Sequence, residues 1–147
     1  MLREHDWADF ASAASACGEG FVYLKNDLAM LEIALVQWAL MRARAAGWTV
    51  HLTPELVRDH VIAGCGFRPR DKAGAGSSIY SVAGEDVSLV GTAEISLAGM
   101  YADKLLSPGA LELPIKLCGF SHAYRRETGQ GGRGSRGLYR LHQFSKG

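Results

Sequence analysis

The segment SHAYRRETGQGGRGSRGLYRLHQFSK, Ser121 to Lys146, constrains this chain more than any other. It reads as two extended stretches joined by a glycine-rich loop, with charged residues where strands normally show a plain apolar and polar alternation. Alternate residues of a strand share a face, so Ala123, Arg125 and Glu127 point one way and Tyr124, Arg126 and Thr128 the other. The return stretch groups Leu138, Arg140, His142 and Phe144 against Tyr139, Leu141, Gln143 and Ser145. Antiparallel pairing across the loop would display Arg125, Glu127, Arg140 and Phe144 side by side. That set suits a nucleotide. A guanidinium offers a planar fork for phosphate oxygens, a carboxylate accepts from an amino group, and a phenyl ring provides a stacking surface worth about 1–3 kcal/mol per base.

Charge collects at the same place. Residues 116 to 147 hold seven Lys and Arg against the single acid Glu127, a net +6. The remaining residues carry nine bases and fourteen acids, a net −5, so the total of +1 conceals a basic end that invites a phosphate-bearing partner. A merely solvated basic hairpin is the plain alternative.

Other phosphate motifs fit poorly. Gly129, Gly131 and Gly134 spell GxGxxG, but a dinucleotide fingerprint needs a helix after the loop and an acid about 20 residues on, whereas here a strand follows. No Lys-Ser/Thr follows a suitable glycine, as a P-loop requires. GGRGSRG as a flexible RNA-binding segment stays open, although the strand alternation around it argues against disorder. Cys17, Cys65 and Cys118 are odd in number and far apart, and the five histidines match no metal spacing, so neither a disulfide framework nor a metal site is expected. The apolar run Leu28 to Met41 is broken by Glu32 and Gln37 and falls short of the roughly 20 residues of a bilayer span, and MLREHDWADF lacks the apolar core of a signal peptide. The 147 residues, 48% hydrophobic, suit one domain.

Upstream, DWADFASAA predicts a short amphipathic helix and Phe21 to Leu24 an extended piece. Asn26 or Asp27 would cap a helix to about Ala46, closed by Gly47; its apolar residues lie nearly all round, which predicts burial on more than one side, against its own sheet or a second subunit. Trp48 to Leu52 reads as a strand, and Pro54 suits the first turn of a helix from Glu55 to Ala63. A loop carrying Arg68 and Arg70 leads to a hairpin, Ser78 to Val82 and Val87 to Val90. Thr92 would cap a helix reaching about Leu106, with Glu94 in its first turn, and ordinary capping would account for both residues. LELPIKLCGF reads as a further strand with Pro114 near its start.

Taken together these elements resemble one family. YRRETG, the glycine loop and RGLYRLHQFSK are similar to the motif 2 region of seryl-tRNA synthetases. The family's serine-binding GTAE element stands at Gly91 to Glu94, and its LPIK at Leu113 to Lys116. GFVYLKNDLAMLEIALVQWAL and GWTVHLTPELV resemble the start of the catalytic core and motif 1, whose proline would be Pro54 at a dimer interface. The resemblance runs from His5 onward.

It implies an α+β, class II synthetase-like antiparallel sheet flanked by helices, incomplete here, in a homodimer. It also implies activation of L-serine with ATP and Mg2+ to seryl-adenylate, then transfer to the 3′ end of tRNA(Ser). Position by position, Thr92, Ala93, Glu94 and Arg125 would bind serine. Arg125, Arg126, Glu127, Arg140, Leu141 and Phe144 would bind ATP, with Arg125 on the α-phosphate and Phe144 on adenine. Arg133 and Arg136 would touch the tRNA acceptor end. A glutamate expected two positions after Lys146, the motif 3 arginine and the N-terminal tRNA-binding arm have no counterpart, so residues 1–147 would form a partial catalytic domain, inactive alone and of poor stability. A catalytically dead module that binds RNA or a protein partner is the alternative. A carrier-protein-loading relative is disfavoured because its zinc ligands have no counterpart. TAEISLAGMYADK and GLYRLHQFSK are similar to organellar eukaryotic members, which implies an organelle matrix such as the mitochondrial one, with the cytoplasm as alternative.

Overall fold

Small residues at every second position of the LCGFSHAY stretch let other elements approach closely, and the structure is arranged about it. The computed structural model describes residues 4–67, 77–107, 109, 114–127 and 137–147. The described elements are, in order, β1 (Ala8–Asp9), α1 (Phe10–Cys17), β2 (Tyr23–Leu24), α2 (Asn26–Ala45), β3 (Thr49–Leu52), β4 (Leu56–Arg58), α3 (Asp59–Gly64), β5 (Val87–Leu89), α4 (Ala93–Gly99), β6 (Leu117–Tyr124) and β7 (Gln143–Lys146).

The strand β6 runs unbroken through what reads from the sequence as two strands, because no turn residue separates Phe120 from Ser121. It begins at Leu117, so Pro114 lies before the strand, not within it. One half pairs with β3 in parallel, Thr49 opposite Leu117 to Leu52 opposite Phe120. The other half pairs with β7 antiparallel, Ser121 opposite Lys146 to Tyr124 opposite Gln143. The expected antiparallel sheet is thus antiparallel at the hairpin and parallel at β3. Gly119, Ser121 and Ala123 are buried on one face of β6. A Cβ at Gly119 would stand 3.0 Å from Leu97 Cδ1 of α4 and 3.1 Å from Thr53 Cγ2, so glycine permits this approach.

A second ribbon, β4 against β5, is antiparallel with Leu56 opposite Leu89. This corrects the helix expected over 55–63: residues 56–58 take their ladder partners from 87–89, and α3 starts only at Asp59, whose carboxylate accepts from Ser88 Oγ at 2.6 Å. Tertiary pairing overrides the helical cue of Pro54. The expected 78–90 hairpin keeps one arm as β5, while the other is reduced to a bridge from Ser81 to Ser88 and a bond from Leu89 N to Tyr80 O. Helix α4 ends at Gly99, not near Leu106. From there Met100, Tyr101 and Ala102 continue as turns, donating to Leu97, Ala98 and Gly99 carbonyls. Ile62, Ile79, Val90 and Ile95 form the buried core between these pieces, with Val57, Val61 and Phe67 against it.

Helix α2 departs from expectation at both its start and its faces. Lys25 is its N-cap and makes no side-chain cap bond, while Asn26 Nδ2 donates to the Asp6 carbonyl. Gly47, with φ +81, follows its end as expected. Half-buried positions run along Leu28, Glu32, Val36 and Leu40, a single stripe. Leu31, Ile33, Leu35, Trp38 and Met41 on the other sides are exposed, so burial on several sides is not what this chain alone provides.

Candidate functional site

The antiparallel hairpin sets Phe144 opposite Ala123, and Arg125 N extends the ladder by donating to the His142 carbonyl at 2.9 Å. Arg125 and Phe144 consequently share a face. The guanidinium carbon lies 5.3 Å from the Phe144 ring centroid, and Arg125 Nε donates to the Gly91 carbonyl at 3.1 Å. The Nε bond fixes the plane of the guanidinium and leaves its terminal nitrogens as a fork without a partner among the described residues. Arg140 Nε meets Glu127 at 2.6 Å, with Glu127 at φ +47 where the chain has left the strand. Of the four residues expected side by side, the structure shows two contacting pairs, Arg125 with Phe144 and Arg140 with Glu127.

Thr92 sits at the N-cap position of α4 yet makes no cap bond; its hydroxyl donates to Glu94 instead. Capping alone does not account for this threonine. The other Glu94 oxygen accepts from Lys146 Nζ at 2.7 Å, which ties the α4 start to β7. Burial disfavours the Glu94 carboxylate, but the hydrogen bonds from Lys146 and Thr92 outweigh it and hold the carboxyl down to about 2. The Glu94 side chain is still 67% exposed, so solvent screens the pair. A cavity of about 330 Å³ opens beside it, lined by Ala93, Glu94, Leu97, Cys118 and Gly119 among others. Ala93, at the start of α4, is buried.

The remaining expected site residues divide. Arg126 donates through its backbone N to Ser78 O at 2.8 Å, and its charge is felt by Tyr80, on the side opposite Arg125. Leu141 lines a cavity with Phe21, Val22 and Leu35. Pro54 is exposed and its carbonyl accepts from Ser96 Oγ at 2.6 Å. Arg133, Arg136, Thr128 and the glycine loop lie outside the described residues, as do Arg68, Arg70 and Leu113. Among the described residues no group of three His, Cys, Asp or Glu side chains could hold a metal ion.

Sequence reasoning missed several residues. His142 donates its backbone N to the Gly20 carbonyl at 2.8 Å, its ring bonds the Tyr80 hydroxyl, and a Cβ at Gly20 would meet that ring at 2.4 Å. Ser121, 3% exposed beside Lys146, has a hydroxyl with no partner among the described residues. Glu55 binds His122 and Tyr124. Alternation could place His142 and Ser121 on the site face; nothing local announces Glu55.

No protein-family model matches the chain. It is 46% identical over 144 residues to the serine–tRNA ligase of Borreliella afzelii, covering 98% of this chain and 32% of that protein. The chain thus spans about a third of the length of the curated relatives it matches. Among solved structures, it superposes on seryl-tRNA synthetase from Pyrococcus horikoshii, solved with ATP, with a TM-score of 0.86 and 35% identity over 98% of this chain and 31% of that one. The cytoplasmic serine–tRNA ligase of Naegleria fowleri, solved with AMP, gives 0.84 and 26% over 98% and 32%. By sequence and by fold, the chain is a homologue of the seryl-tRNA synthetases over about a third of their length.

Proposed function

We propose that this chain carries the nucleotide- and serine-binding face of a serine–tRNA ligase, which activates L-serine with ATP to seryl-adenylate and transfers it to tRNA(Ser). The observation that carries the reading is the Arg125 fork, held between the Gly91 carbonyl and the Phe144 ring. Its terminal nitrogens suit phosphate oxygens, and Phe144 offers the stacking surface for adenine. Arg140, Glu127, Arg126 and Leu141 would complete the ATP set. Mg2+ would arrive with ATP and would neutralise charge on its phosphates; among the described residues no cluster of three His, Cys, Asp or Glu side chains would hold it independently of the nucleotide.

Thr92, Ala93 and Glu94 would read serine. The Lys146 ammonium now occupies the carboxylate that the serine ammonium would take, so serine would enter by exchange with it. Catalysis here is positioning plus charge neutralisation, with no covalent protein intermediate. Arg133 and Arg136 would contact the acceptor end of tRNA, and Pro54 would lie at a homodimer interface.

Titration of Mg-ATP into the 147-residue chain, followed by the resonances of Arg125 Nε–H and the Phe144 ring, tests the reading. Saturable binding that Arg125→Ala abolishes is expected. Binding of tRNA without any binding of ATP would transfer support to a catalytically dead RNA-binding module.

A further inference from the structure

The Glu55 carboxylate gathers three donors from β6. The His122 backbone N–H and Nδ1 reach one oxygen at 3.0 and 2.8 Å, and the Tyr124 hydroxyl reaches the other at 2.9 Å. The backbone closes the arrangement: Val90 N donates to the Glu55 carbonyl at 2.9 Å, and the Val90 carbonyl accepts from Tyr124 N at 2.8 Å. Glu55, Val90 and Tyr124 therefore form a ring of hydrogen bonds between segments far apart in sequence. Each member adjoins a residue of the candidate site, since Glu55 follows Pro54, Val90 precedes Gly91 and Tyr124 precedes Arg125. The next rung is the bond from Arg125 Nε to Gly91 O.

We propose that Glu55 is a positioning residue for the nucleotide-binding face: it locks the end of β5 against β6, and so fixes the Gly91 carbonyl that orients the Arg125 fork. The inference rests on reading Arg125 as a nucleotide-binding residue. Only an acceptor with two oxygens meets all three donors, and ionisation strengthens each bond. Burial opposes the charge on Glu55, but the bonds from Tyr124 and His122 outweigh it and keep the carboxyl below its ordinary value. Burial first, and Glu55 second, push the Tyr124 hydroxyl up to about 12.

The test uses Glu55→Leu, Glu55→Gln and Tyr124→Phe in the full 147-residue chain, with two readouts: solvent exchange of Arg125 Nε–H without ligand, and the Kd for Mg-ATP. Glu55→Leu is expected to speed the exchange and raise the Kd about tenfold, as loss of charge-assisted hydrogen bonds implies. Glu55→Gln, whose single oxygen still accepts from His122 while its amide must donate to the Tyr124 hydroxyl, gives a Kd between those of the unsubstituted chain and Glu55→Leu. Tyr124→Phe raises the Kd about threefold, as loss of one neutral hydroxyl donor implies. Unchanged exchange and Kd in both Glu55→Leu and Tyr124→Phe would overturn the proposal, even if thermal stability fell. Should Glu55→Leu fail to fold, Tyr124→Phe alone decides on the same readouts. Should the unsubstituted chain bind no ATP, the nucleotide reading falls, while the Arg125 exchange rate still shows whether the ring orients that side chain.

Discussion

Arg125 and Phe144 meet as cation and ring at 5.3 Å because Arg125 continues the strand register in which Ala123 faces Phe144. A lysine at 125 keeps the positive charge but loses both the planar fork and the Nε–H that bonds Gly91. In an intact enzyme carrying this segment, Arg125→Lys should lower serine-dependent pyrophosphate exchange by about 100-fold, in line with removal of a preorganised charge-stabilising group. Near-normal exchange would sink the role assigned to Arg125.

The Glu94 carboxyl, held near 2, should respond to its partner. Lys146→Met removes the ammonium, leaving burial opposed by Thr92 and a backbone N–H, and a carboxyl-carbon NMR titration should find the Glu94 pKa moved up from about 2 toward its ordinary 4.5. Because the folded value is the depressed one, this pair favours folding above about pH 4.5, and that contribution disappears as pH falls toward 2. The variant should therefore show a shallower loss of stability across that acid window. An unmoved Glu94 would show that Lys146 contributes nothing to the site's electrostatics.

Gly119 separates packing from backbone freedom. In Gly119→Ala the new methyl meets Leu97 and Thr53 at 3.0–3.1 Å, and overpacking of this sort costs about 1–3 kcal/mol. Gly64→Ala provides the comparison, since nothing lies within 4 Å of its added methyl and α3 gains a better helix former by about 0.5–1 kcal/mol. Urea unfolding of the pair should displace the midpoints in opposite directions; equal shifts would contradict the packing read here.

The outer sides of α2 make a prediction about association. Met30, Leu31, Ile33, Leu35, Trp38 and Met41 are each more than half exposed, a concentration of apolar side chains of the kind that self-associates. Sedimentation of the chain should show an apparent mass that rises with concentration, and Leu31→Gln with Trp38→Arg should suppress the rise. A monomer at every concentration would show that this surface is tolerated in water.

Much of the site was legible because a period of two places Arg125 with Phe144 and separates Arg126 from Arg125, whatever the rest of the chain does. The ends of elements were less so. Pro54 signals a helix locally, yet Leu56 to Arg58 find strand partners at Val87 to Leu89, and no local rule carries that information. Thr92 looks like a cap until Glu94 is seen to take its hydroxyl, and Glu94 itself is held by a lysine 52 positions away. Glu55 was invisible for the same reason, its donors lying 67 and 69 positions on. Side-chain bonds across such separations are products of the fold, not of local propensity.

The parallel pairing of β3 with β6 also governs time. Thr49 and Leu117 are 68 positions apart, and everything from β4 to α4 lies in the closed loop between them. Chains dominated by such distant contacts fold slowly, since loop entropy is lost before the sheet contacts form. A ribosome making this chain would release β3 long before β6 exists to pair with it, so its apolar residues are left to chaperones in the interval. Among the described elements, the candidate site is completed only with β7, after all the others have emerged.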